Sequence, residues 1–206
     1  MPSDWYLSVY NRCETAGWAL RLPLDIKDFY MPPVADPRYP IGKFTPPATI
    51  AIADRKSAIS ALEKMPEYLR TALRDLDTIQ LNTPYREGGW SIRQVVHHVA
   101  DSHAIAFYRT RRALTEDWPT VHGYDEKAFS ALADHVAPAE WSVELIEAVH
   151  ARWVLVLHSL TDPQWKRGYK HTERGPFTVE EVTIHYAWHA RHHLAHITHL
   201  RARKGW

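Results

Sequence analysis

The chain of 206 residues is 45% hydrophobic and 24% charged, enough for one well-buried domain and too short to favour two. A formal charge of +1, with no long basic run, argues against a nucleic-acid or anionic-membrane partner, and no apolar stretch reaches the roughly 18 residues that span a bilayer. One cysteine, Cys13, rules out an intrachain disulfide and fits a reducing compartment.

Residues 1–38 combine Trp5, Tyr6, Tyr10 and Trp18 with a proline-rich run from Pro23 to Pro40 that cannot hold a long helix. Two readings stand side by side: an N-terminal arm packed on the surface, or a chain whose natural start is Met31. Asp4, Arg12, Glu14 and Arg21 interrupt any apolar run, so no signal peptide is expected and the predicted location is the cytoplasm.

From Ala48 to Leu76 the apolar residues Ile52, Ile59, Leu62, Leu69, Leu73 and Leu76 recur at helical spacing, and Pro66 is expected to kink or divide the helix. LNTPYREGGW is a turn-rich connection. Ser91 with Gln94 then forms a capping box that opens a helix to about Glu116, with Ile92, Val95, Val96, Val99, Phe107 and Leu114 inward. His97, His98, Asp101 and His103 are the polar residues nearest that side. The direction of Val95 and Val99 favours His98 over His97 as the ring that points into the core.

A connecting region follows, with one short helix expected around Glu126 to Ala133. The next long helix runs from about Ser142 to Leu160, placing Leu145, Ile146, Val149, Trp153, Val156 and Leu157 inward, and Thr161-Asp162-Pro163 closes it. KRGYKHTERGPF reads as a loop or a short extended pair. His122, His135, His150, His158 and His171 have no partner at metal-ligand spacing and read as structural.

The last helix runs from the Thr178–Glu181 capping box to Gly205. Six of the fourteen histidines, His185, His189, His192, His193, His196 and His199, fall within it. At about 100° per residue they project within an arc of about 120°, which Val182, Tyr186 and Leu200 share or border. An unsatisfied buried imidazole costs about 1 to 3 kcal/mol, so an inward stripe of six calls for hydrogen bonds or an ion. His189 and His193 have the i, i+4 spacing at which two rings converge on one ion.

Four long helices without an alternating strand pattern or repeat predict an all-α four-helix bundle. The long connection from Leu114 to Trp141 predicts one crossover.

The blocks YPIGKF, YREGGWSIRQVVHHVADSH, ALTED, YAWHARHHLAHIT and RKGW occur in order between Tyr39 and Trp206 and closely resemble the YfiT group of the DinB-like superfamily. Residues 1–38 lie outside that resemblance, leaving 39–206 as the domain. The resemblance implies a DinB-type four-helix bundle, usually a homodimer, with one divalent metal per subunit held by three histidines. On the matching positions these are His98, His189 and His193. Such a site requires the ring of His98 to lie within about 6 Å of the other two.

Three neutral imidazoles suit zinc, nickel, iron or manganese; zinc is the leading expectation and nickel the alternative. Asp101, Glu180 and Glu181 are candidates to accept the ligands' second N–H groups. The leading function is a metal-dependent hydrolase acting on a small molecule. No H-E-x-x-H glutamate is present, so His196, Asp101 or His103 would have to serve as general base. The alternative is a metal-dependent S-transferase for a low-molecular-weight thiol such as bacillithiol, with Cys13 a poor candidate for any protein nucleophile. A third reading is a non-enzymatic bundle that binds metal or ligand.

Overall fold

The computed structural model describes residues 36–206; the readings of the N-terminal arm, the start at Met31 and Cys13 lie outside the described residues. In chain order the helices are α1 (Ile52–Leu73), α2 (Thr78–Leu81), α3 (Ile92–Thr115), α4 (Glu126–Phe129), α5 (Ala139–His158), α6 (Asp162–Trp165) and α7 (Val179–Lys204). The caps read from the sequence are made. Ser91 Oγ accepts from the Gln94 N–H at 3.2 Å while Gln94 Oε1 accepts from the Ser91 N–H at 3.0 Å, and Glu181 reaches back to the Thr178 N–H at 2.7 Å. Gly205, at φ 70°, ends α7 in the left-handed region.

α1, α3, α5 and α7 form the bundle. α1 packs on α5 and α7, and α3 packs on the same two. Arg55 meets Glu180 near the starts of α1 and α7, and Arg201 donates to the Ala72 carbonyl near their ends, so these two helices run parallel. His97 meets Ser142 and His103 meets His150, so α3 and α5 are parallel as well. The order is up-down-down-up. Joining parallel neighbours obliges the chain between Thr115 and Ala139 to cross the length of the bundle, as its size predicts.

The sequence pattern did not reveal a small three-stranded sheet of order β1-β2-β3, built from Thr120–Val121, Gly168–His171 and Gly175–Thr178. β2 and β3 are antiparallel, with Tyr169 opposite Phe177, so of the two readings of this segment, loop or short extended pair, the second is the one formed. β1 pairs parallel to β2 from within the crossover. A Cβ on Gly168 would lie 2.2 Å from the Phe177 carbonyl oxygen, so only glycine fits there.

Several details differ from expectation. Pro66 neither divides nor ends α1, which continues to Leu73. α5 starts at Ala139, and the segment after Glu126 is a single turn followed by a 3-10 turn at Ala133–Val136. Ile52 and Leu145 face solvent, being 61% and 44% exposed.

The apolar interior falls into two clusters, one around Met65, Leu69, Val95, Ile146 and Ile197, the other around Leu62, Ala106, Trp153, Leu157 and Val182. Between them, at mid-height, lie His103 and His150, each at most 1% exposed.

Candidate metal centre

His98 stands two turns into α3 on the face fixed by Val95 and Val99 and is 4% exposed. Across from it the antiparallel α7 presents His189 and His193, one turn apart. The His98 ring centroid lies 5.4 Å from that of His189 and 4.8 Å from that of His193, and the latter two are 4.4 Å apart. One ligand nitrogen from each of the three lies within 4.8 Å of the others. His97, as the helix direction predicts, turns away: its Nε2–H donates to the Ala137 carbonyl at 3.2 Å and its Nδ1 accepts from Ser142 at 2.7 Å.

The donor set fits a divalent ion. Bonds of 2.0–2.1 Å to zinc imply a tetrahedral edge of about 3.3 Å between ligand nitrogens, and His189 Nε2 and His193 Nε2 are 3.1 Å apart. Two neutral rings whose Nε2 atoms meet so closely suit a shared cation at that point. All three are also neutral. Burial pushes the His98 ring down to about 4, with His135 and His192 adding repulsion. His189 and His193 are held well below the ordinary imidazole range by burial and by neighbouring rings.

The sequence candidates for a proton-transfer or supporting role are distributed otherwise. Asp101 accepts from His135 Nε2 at 3.2 Å and contacts no ligand ring. Glu180 is taken by Arg55 and Lys166, and Glu181 by the cap of α7. His196 stacks on Tyr85 at 4.1 Å, with its Nε2–H toward the Arg38 carbonyl at 3.4 Å. The His196 ring also packs edge-on against that of His193, with centroids 5.3 Å apart, but of these candidates only His103 hydrogen-bonds to a ligand: its Nε2 lies 3.1 Å from His189 Nδ1, and its own Nδ1 lies 2.8 Å from His150 Nε2. With both nitrogens so used and the ring fully buried, His103 is no general base. His150, read from the sequence as purely structural, thereby reaches the site through it.

The three imidazoles form the inner wall of a cavity of about 500 Å³. Asp101, His103 and His196 do not line it. His185 and His192 do, as do Trp90, Arg109, Tyr124 and Tyr169. Trp90 lies 4.6 Å from the His98 ring. Arg109 had a usable signal, because eleven positions after His98 is three turns on the same face of a helix. Tyr124 and Tyr169 come from the crossover and from β2, where no helical period could announce them.

The DinB superfamily model matches residues 61–197. The chain is 44% identical over 170 residues to YfiT of Bacillus subtilis, covering 82% of this chain and 96% of that one. It is 43% identical over 169 residues to a protein of Oceanobacillus iheyensis, covering 82% and 98%. Both relatives are provisionally named metal-dependent hydrolases. The solved structure of YfiT, described as having an unusual four-helix bundle topology, superposes with a TM-score of 0.80 over 82% of this chain and 98% of that chain, at 43% identity.

Proposed function

This chain belongs to the DinB superfamily, and from that premise we propose that it is a metal-dependent hydrolase of a small molecule, with one divalent ion held by His98, His189 and His193. The observation that carries this reading is the convergence of three buried, neutral imidazole nitrogens within 4.8 Å on the wall of a 500 Å³ cavity. Three protein ligands leave a coordination position for water or substrate, the arrangement of catalytic rather than structural zinc. Zinc suits the set best and nickel fits the same donors. Bound there, the ion would act as a Lewis acid that polarises a carbonyl and lowers the pKa of water.

The chain's own residues supply the rest. Trp90 and Tyr186 line the site beside the ligand rings. His185, pushed down to about 4 by burial, faces the cavity as a neutral ring that can accept a hydrogen bond from water at the site but is a weak base at neutral pH. Asp101, His103 and His196 lie off the cavity.

The cavity also carries two carboxylates, Glu126 and Glu173, and a second reading, S-transfer from a low-molecular-weight thiol, has no need of either as a base. A thiol deprotonated at the site needs no carboxylate base to become a nucleophile. Metal- and thiol-dependent conjugation of monochlorobimane, in which the sulfur–carbon bond forms as chloride leaves, would support transfer; ester or amide hydrolysis without thiol would support hydrolysis. The proposal extends to a cytoplasmic homodimer, which light scattering of the purified protein tests.

The metal is tested first. Untagged protein purified without added metal should carry close to one equivalent of zinc or nickel by elemental analysis, and His98→Ala and His193→Ala should each lose it. Retention of stoichiometric metal by either variant would defeat the reading.

A further inference from the structure

A single hydrogen-bond chain runs from a backbone carbonyl of α1 to a ligand imidazole of α7, and passes through all four long helices. It begins at Pro66. In a regular helix the N–H of residue 66 would donate to the carbonyl of Leu62, but proline has no N–H. The Leu62 oxygen instead lies 2.6 Å from Nδ1 of His150 on α5. A carbonyl only accepts, so His150 Nδ1 carries the proton; the opposite tautomer would set two lone pairs against each other at that distance.

The remaining protons follow one by one. Burial holds His150 neutral, pushed down to about 4, so its Nε2 is bare and accepts from His103 Nδ1 at 2.8 Å. His103 on α3 is fully buried, with both ring nitrogens on other imidazoles and no carboxylate to balance a charge, so with Nδ1 donating to His150 its bare Nε2 accepts from His189 Nδ1 at 3.1 Å. His189 Nε2 is then the bare nitrogen that meets His193 Nε2 at 3.1 Å.

We propose that His150 and His103 are positioning residues for the ion: they hold His189 in its Nδ1–H tautomer and so present Nε2 as the donor, with Pro66 freeing the carbonyl that gives the chain its direction. The inference rests on the three-histidine metal reading for its purpose, though the tautomers themselves do not depend on it. Ligand histidines ordinarily hand their second N–H to an acceptor that fixes the ring. Here the acceptor is a relay that ends on an uncharged carbonyl rather than a carboxylate.

The test begins with the metal-free full chain labelled with 15N-histidine, whose long-range 15N–1H correlations distinguish Nδ1–H from Nε2–H rings. His150, His103 and His189 should all carry the proton on Nδ1, and an Nε2–H ring at any of the three overturns the chain whatever the protein does with metal. Zinc affinity is then measured by chelator competition for the wild type, His150→Phe and Pro66→Ala, with melting temperatures alongside. His150→Phe keeps an aromatic ring beside Trp153 and removes the link to Leu62; it should bind zinc about 10-fold more weakly and lose the single tautomer at His189. Pro66→Ala returns a helical N–H to the Leu62 carbonyl. It should raise the melting temperature yet weaken zinc binding, opposite movements that a merely structural proline would not produce. Unchanged zinc affinity in both variants overturns the positioning role and leaves the three-histidine site standing. A wild type that binds no zinc overturns the metal reading and the positioning role together.

Discussion

His150 is 1% exposed and makes hydrogen bonds through both ring nitrogens, one to Leu62 and one to His103. Its burial has a direct effect on acid stability. Above about pH 6.5 the ring is neutral in both folded and unfolded chains. As the pH falls, the unfolded ring takes a proton that the buried ring refuses until about 4. Stability present above pH 6.5 is therefore lost through that window, by about 3 kcal/mol for this one residue. Urea unfolding of metal-free protein at pH 7 and pH 4 should show His150→Phe losing about that much less than the wild type; equal losses would remove His150 from the account. At this scale the sequence told part of the story. His98 was legible because its helix has a clear apolar face, and the His189–His193 pair because their spacing is local. The partnership of His103 with His150 spans 47 positions and two helices, and no periodicity along one segment encodes such a contact.

Among the elements, α1 and α7 are tied by Arg55, whose guanidinium meets Glu180 at 2.7 Å and lies over the Trp165 ring at 5.2 Å. Both charged side chains are nearly buried. Removing one member of such a pair strands the other, at a cost of about 3 to 5 kcal/mol. Arg55→Ala should be destabilised toward the lower end, since Lys166 also reaches Glu180; an unchanged denaturation midpoint would show that Lys166 alone satisfies the carboxylate. At the sheet, Gly168→Ala should misplace β3, because the added methyl meets the Phe177 carbonyl and the Trp118 ring within 2.8 Å. A normal melting temperature in that variant would contradict the close approach. The four long helices and the caps that open α3 and α7 were readable from period and capping boxes, whereas the single-turn helices α2 and α6 were not. β1 was not: two residues are too few to alternate, and the strand exists only because Thr120 and Val121 lie alongside Lys170 and His171. Pro66 was read as kinking or dividing its helix, and α1 runs through it undivided, packed on α5 and α7.

For the whole molecule, the two segments that carry the three histidines meet only once α3 and α7 have docked. An ion that binds this arrangement and not the unfolded chain must stabilise the fold by mass action, by about 2.7 kcal/mol at a free concentration 100 times Kd. Thermal melts of wild type in zinc should rise with concentration, while His193→Ala should not respond. A rise of equal size in both would place the binding elsewhere. The single crossover followed from the length of one connection in the sequence, but the up-down-down-up order and the side-by-side placement of α1 with α7 were not read from it, because that meeting depends on the packing of all four helices at once.

The mid-height layer also bears on how the helices align along their axes. Apolar side chains above and below it can interdigitate in more than one way, whereas three consecutive imidazole contacts and a carbonyl terminus are met in a single arrangement. Sliding α3 or α5 by a turn, about 5.4 Å, would break the series at two points and sliding α1 or α7 at one, leaving polar groups stranded in hydrocarbon. The layer thus acts as a ruler, trading some stability for uniqueness. The double variant His103→Leu/His150→Leu should give doubled or broadened methyl resonances on both sides of the layer, and one sharp set would show that shape alone keeps the helices in register.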